Sequence, residues 1–277
     1  MAGLTINRML ARFVLCLLCL SLGASSFGGG GFPAETNKLK ILAFVWIYPQ
    51  VPRYLKDAYR INVRNMRKEH PDLPCDIQLY FFAGSIGNYT EEDSLYHDIA
   101  QDKFQENMLK GKLLHMYKYA LREKANFDYI IKMDTDVAVQ WPSLCKDLSS
   151  RNASGNVYFG RSNQHFCGPH EHCPSVNCSN FNNTNGCWMY MSGGLFGISK
   201  PLMTSLLDLR GVHWNGLADL QLGRIIKKLK EDRPSEEIDI VHWDNGVHFC
   251  HQQPLGLEYI NGSASIREIA STVCTKR

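Results

Sequence analysis

The sequence predicts an α/β protein with a mostly parallel central sheet and helices on both faces. Three observations carry that expectation. Short apolar runs alternate with longer stretches of helical spacing, which is the pattern of strand–helix–strand units. The first of these runs, Lys40–Ile47, is apolar almost throughout, as in a strand buried on both faces. No internal repeat of roughly 20 to 50 residues is visible, which argues against a solenoid.

Taken in order, Lys40–Ile47 is a strand and Ala58–Lys68 a polar helix stopped before His70-Pro71. Asp76–Phe82 is a second strand, ended by Gly84. From Phe104 to Lys124, Met108, Leu113, Leu114, Tyr117, Ala120 and Leu121 recur at helical spacing. Tyr129–Met133 is a third strand, and Ser149–Gly155 reads as loop. Val157–Phe159, Leu195–Ile198 and Ile238–His242 follow as strands, with helices over Pro201–Leu209 and Leu217–Lys230.

The chain has 277 residues, 44% hydrophobic and 11% aromatic, enough for one large domain. A net charge of +3 with scattered cations gives no case for a nucleic-acid partner, which would call for a concentrated basic face. Arg8 and Arg12 precede the apolar run Phe13–Leu22 and the small residues Gly23–Ser26, as in a secretory signal. The run is shorter than the roughly 20 residues of a spanning helix, so a cleaved signal and a short type II anchor both stay open. Residues 1–36, including Gly28–Gly31, are set apart as a leader and linker, and residues 37–277 are expected to form one lumenal domain.

Sequons at Asn88, Asn152, Asn177, Asn182 and Asn261 fit the same route, as do the cysteines. Outside the apolar segment, Cys75, Cys145, Cys167, Cys173, Cys178, Cys187, Cys250 and Cys274 make an even number suited to an oxidising compartment, their pairing unassigned. Cys167, His170, His172 and Cys173 are ligand types for zinc, but in such a compartment a disulfide-stapled loop is the better expectation. The Golgi or endoplasmic reticulum lumen, or secretion, follows as the expected location.

The run "YIIKMDTDVAV" places Asp134 and Asp136 at the end of an apolar strand. Carboxylates there need compensation, and ligands of parallel sheets bind beyond the carboxyl ends of the strands. At i and i+2 of an extended segment the two can converge on one hard cation such as Mg2+ or Mn2+.

With its surroundings, this segment resembles the β1,3-glycosyltransferase family, the galactosyltransferase, N-acetylglucosaminyltransferase and Fringe group. "DYIIKMDTDVAV" is similar to the family's Lys-x-Asp-x-Asp-Val element, and "DIAQDKFQENMLKGKLLHMYKYALREK" to the stretch and helix before it. "YMSGGLFGISKPLMTSLL" resembles its aromatic-x-Ser-Gly-Gly segment, and "ADLQLG" its Glu-Asp-Val-x-x-Gly segment. Two departures stand out: Arg60-Ile-Asn-Val63 replaces Arg-x-Thr-Trp, and Ala218-Asp219 replaces Glu-Asp.

The resemblance implies a GT-A fold, a UDP-sugar donor, Mn2+ or Mg2+, and β1,3 transfer with inversion to a glycan on a glycoprotein or glycolipid. It implies that Asp136 and Asp134 hold the metal and diphosphate, with Asp134 nearer the ribose or sugar. Asp219 corresponds to the base that takes the acceptor proton; read from the residues alone, it is equally a carboxylate favoured at a helix N-terminus. Arg60, Gly193 and Gly194 fall in donor-binding segments. In "VHWDNGVHFCHQQP", among His242, Asp244, His248 and His251, His248 best matches a metal ligand and His251 comes second. Trp188 and Tyr190 are aromatic candidates for stacking on the acceptor sugar. Ala218 and the altered Arg60 region keep an alternative in view, a non-catalytic carbohydrate-binding or interaction protein on a transferase scaffold.

Overall fold

The computed structural model describes residues 38–47, 53–83, 94–96, 111–161, 164–166, 188–191, 194–214, 217–243 and 247–251. The leader, the Cys167–Cys187 segment, Gly193, Asp244 and the sequons other than Asn152 lie outside them. Among the described residues no helix is long and apolar enough to cross a membrane.

The chain runs through β1 (Leu39–Trp46), α1 (Arg53–Glu69), β2 (Cys75–Ala83), β3 (Ser94–Tyr96), α2 (Lys112–Glu123), β4 (Tyr129–Met133), β5 (Val137–Val139) and α3 (Trp141–Ser149). It continues through β6 (Val157–Gly160), β7 (Gln164–Phe166), β8 (Trp188–Tyr190), β9 (Leu195–Ser199), α4 (Lys200–Leu207), α5 (Ala218–Asp232), β10 (Asp239–His242) and β11 (Phe249–His251).

Seven strands form one sheet in the order β10-β6-β9-β4-β1-β2-β3. β1 lies parallel to both β2 and β4, as β10 does to β6 and β2 to β3, whereas β9 runs antiparallel between β4 and β6. The expected mostly parallel α/β sheet is therefore present.

Strand alternation sorts the core into two layers. Ile41, Ala43 and Val45 of β1 face Tyr59, Val63 and Met66 of α1 and Leu144 and Leu148 of α3. Leu42, Phe44 and Trp46 face Met116 and Tyr117 of α2, Leu202 of α4 and Ile226 of α5. Helices thus cover both faces, and the Cys75–Cys145 disulfide ties β2 to α3 inside the first layer.

Most expected strands fall within a residue or two of their observed bounds. Three local readings change. The helix expected from Ala58 begins at Arg53, because Lys56 already occupies the buried stripe that Tyr59, Val63 and Met66 continue at helical spacing. The helix expected from Phe104 starts at Lys112, after Gly111, whose φ of 78° is left-handed; residues 104–110 lie outside the described residues. Helix α3 was not expected: Pro142 reads as a breaker, yet it sits in the first turn, where its missing N–H is no loss.

The antiparallel β9 is what positions the site. Because Met133 pairs with Leu195, the start of β9 arrives at the carboxyl end of β4, directly beside the aspartates.

Candidate active site

Asp134 and Asp136 occupy the turn between β4 and β5. Three backbone contacts hold this turn. The Asp134 N–H donates to the Gly194 carbonyl at 2.9 Å, and the Val137 N–H donates to the Asp134 carbonyl at 3.3 Å. From α1, the Tyr59 hydroxyl donates to the Val137 carbonyl at 2.6 Å and lies 3.1 Å from that of Asp134. Tyr59 is buried, and burial, followed by the charges of Asp136 and Asp134, drives its ionisation far above the ordinary phenol range. It stays a neutral staple.

The charge partner of this turn comes from the strand. Lys132 is 4% exposed, and its ammonium stands 2.6 Å from Asp134 Oδ1. It lies against the rings of Trp46, at 4.9 Å, and Phe196, at 5.5 Å. The Lys112 ammonium approaches Trp46 at 5.1 Å and donates to the Ile47 carbonyl at 3.2 Å. The carboxyl ends of β1 and β4 therefore carry a buried cationic layer around one indole.

Asp219 enters from the first turn of α5. Its Oδ1 accepts the Leu220 N–H at 2.9 Å. Burial raises its pKa; the Leu220 hydrogen bond and the charge of Lys132 lower it in part, and the charge of Asp134 raises it again. Asp219 thus shares one electrostatic environment with the strand-end pair. A half-buried carboxylate poised above its ordinary range is suited to proton abstraction. The neighbouring hydroxyls stay protonated: burial, then the charge of Asp219, raises Tyr190, and Tyr158 is raised by burial and accepts the Met191 N–H at 2.8 Å.

The remaining candidates sort differently. Gly194 reaches the site through its carbonyl, whereas Gly193 lies outside the described residues. Arg60 pairs with Asp57 at 2.7 Å and covers the Phe81 ring at 5.1 Å; the α1 side chain that touches the turn is Tyr59, next to it.

His248 precedes β11, and its backbone lies opposite Gln140. Its carbonyl accepts the Gln140 N–H, beyond the far end of β5 from Asp136, and its ring stacks on Trp243 at 5.3 Å. Four positions along β5 amount to about 13 Å. The antiparallel register instead sets His251 opposite Val137, next to Asp136.

Among the described residues no group of three His, Cys, Asp or Glu side chains converges. Asp134 and Asp136 are the strand-end carboxylates among those residues, and one Asp134 oxygen meets the Lys132 ammonium. Two carboxylates at a strand end suit Mg2+ or Mn2+ completed by phosphate and water.

Sequence reasoning missed Tyr59, Lys132 and Lys112 as members of the site. The signal for Lys132 was present, since a lysine inside an otherwise apolar strand needs a buried partner. Nothing local marked Tyr59.

A family model described as Galactosyltransferase matches residues 76–235, more than half of the chain. No curated protein matches it. Among solved structures, the catalytic domain of Drosophila beta1,4-galactosyltransferase 7 in complex with xylobiose is 13% identical, with a TM-score of 0.40, covering 84% of this chain and 79% of that one. A mutant of the same enzyme in complex with manganese, UDP-Gal and xylobiose is 12% identical at 0.39, with coverages of 84% and 79%. The galactosyltransferase LgtC with donor and acceptor sugar analogs is 12% identical at 0.36, with coverages of 84% and 96%.

Proposed function

The chain belongs to the galactosyltransferase family and is a glycosyltransferase of the GT-A type; from that premise we propose a metal-dependent, inverting transfer from a UDP-sugar. The group moved is a hexose or N-acetylhexosamine, galactose first, and the product is a β1,3 linkage to a glycan on a glycoprotein or glycolipid. The observation that carries the reading is the buried Lys132–Asp134 pair at the carboxyl end of β4, whose charges are felt by Asp219 in the first turn of α5.

In this reading Asp219 takes the proton of the acceptor hydroxyl as that oxygen attacks the anomeric carbon. The bond to the diphosphate breaks on the opposite side, and UDP leaves with the electron pair. Asp136 is the first ligand for Mn2+ or Mg2+; Asp134, tethered by Lys132, is the second and faces the ribose or sugar. When bound, the ion supplies neutralisation of the charge that develops on the leaving diphosphate. A histidine ligand from this chain would come from β11 and the turn before it, His248 first and His251 second.

The secretory and Golgi location and the N-terminal anchor belong to the same proposal. They rest on the apolar leader and the sequons, and the Cys75–Cys145 disulfide supports an oxidising compartment. Ala218, standing where the family has Glu, favours a second reading, a sugar-nucleotide-binding protein without turnover.

UDP release over a panel of UDP-sugars, with and without Mn2+, tests the proposal. Release with Mn2+ that disappears in Asp136→Ala supports it. UDP binding without release from any donor would favour the second reading, and absence of both UDP and metal binding would sink the transferase reading itself.

A further inference from the structure

Strand β8 and helix α5 frame a groove of about 330 Å3, at the lower end of small-ligand sites. Trp188 lines it from β8, and Gln221, Arg224, Lys227, Lys228 and Glu231 line it from α5. Its walls are fixed. The Trp188 indole donates to the Leu220 carbonyl at 3.0 Å, and Gln221, 8% exposed, donates its amide to the His213 carbonyl. Gly223 allows the close approach of helix and strand, since a Cβ there would stand 2.3 Å from the Met189 carbonyl oxygen and 2.7 Å from Tyr190 Cβ.

The charge of the groove is one-sided, three cations against one acid. Lys227 pairs with Glu231 at 3.6 Å, and Lys228 pairs with Asp232, which lies outside the lining. Arg224 is exposed and makes no ion pair among the described residues. An indole wall beside a guanidinium and an ammonium suits a pyranose that carries an anion: the ring lies on the aromatic face, and the anion meets the planar fork.

The groove connects to the reacting centre along β8. Trp188 and Tyr190 are two positions apart, so they point the same way at a spacing of about 7 Å. β8 packs along α5 near Asp219: the Trp188 indole bonds the carbonyl of Leu220, the residue after Asp219, and Tyr190 packs against Gly223 one turn further on. An acceptor whose hydroxyl faces Asp219 would thus pass Tyr190 and reach Trp188 within one or two sugar residues.

We infer that this groove is a distal acceptor subsite that binds an anionic sugar, a uronate or a sulfate ester, one or two residues from the hydroxyl that accepts transfer. The inference rests on the transferase reading above.

The test is calorimetric binding to the full chain, with UDP and Mn2+ present, of two probes. One is a chondroitin tetrasaccharide, desulfated or sulfated so that the two anion sources are compared; the other is the uncharged lacto-N-neotetraose. The charged probe should bind more tightly, lose affinity with salt, and weaken about tenfold in the Arg224→Ala/Lys228→Ala double variant. UDP affinity should be unchanged in that variant, which also serves as its folding control. Trp188→Phe, which keeps a ring, should retain the preference for charge.

Equal affinity for the two probes, or equal weakening of both in the double variant, overturns the inference. So does a protein that binds UDP and Mn2+ but neither probe, and that result leaves the transferase reading standing. A native protein that binds no UDP fails on a separate arm, the donor site, and is read there.

Discussion

Asp147 and Asp219 are both partly buried helix carboxylates, and burial pushes both upward, yet they end on opposite sides of their ordinary range. At Asp147, in α3, hydrogen bonds from Arg151 and Trp243 and the charge of Arg151 outweigh burial and leave the carboxyl below that range. The contacts are close: Arg151 at 3.0 Å and the Trp243 indole at 2.7 Å. At Asp219, the Leu220 amide and the charge of Lys132 offset only part of the cost of burial, and the carboxyl stays raised. Asp147 is satisfied by the fold, whereas Asp219 is held in a state that a substrate hydroxyl or a proton would complete. Partner supply, and not burial, separates the structural carboxylate from the proposed base.

The widest test of that contrast is Asp219→Asn. Removing the proposed base should lower turnover by about 10²- to 10⁴-fold, with UDP affinity retained. The same change should leave stability equal or higher at pH values above the ordinary carboxylate range. A carboxylate whose folded pKa is raised favours the fold when protonated and loses that contribution as pH rises through the folded value. Loss of UDP binding in this variant would remove Asp219 from the role of base.

Next is Lys132→Met, which takes the cation from between Asp134 and Asp219. Asp134 loses its tether, and turnover should fall by up to about 100-fold. Because the Lys132 charge lowers the Asp219 pKa, the acid limb of the kcat/KM profile should move to higher pH. An unmoved limb would show that the two groups do not communicate.

Asp147→Asn should give the reverse pattern of Asp219→Asn. Turnover should persist while denaturant unfolding shows a loss of about 1–3 kcal/mol. A depressed carboxylate contributes stability that is present above its unfolded pKa and lost as pH falls through the folded value. The native protein and the variant should therefore converge in stability below about pH 4. A turnover defect in this variant would break the division between the two aspartates.

The smallest effect is expected of Trp243→Phe, which removes one of the hydrogen bonds to Asp147 and keeps most of the ring that packs on Phe159 at 4.5 Å. A loss of about 1 kcal/mol is expected, with activity unchanged. A cost near zero would assign the low Asp147 pKa to Arg151 alone.

The sequence by itself determined the strands that form the parallel core, because continuous apolar runs and helical spacing are local signals that few other packings can satisfy. It also determined that Asp134 and Asp136 stand at a strand end, since a buried run that stops on two carboxylates states its own boundary. Tertiary structure decided the rest. The direction of β9 is invisible in an apolar run, yet it brings Gly194 to Asp134. Tyr59 reaches the same turn across 75 positions, and no local pattern could announce it. The antiparallel register that sets His251 opposite Val137 is equally invisible in the chain, because it pairs segments far apart in sequence. Whether a carboxylate becomes a structural anchor or a base depends on which donors the fold brings within hydrogen-bond reach, a property of the assembled layers and not of the residue or its neighbours in the chain.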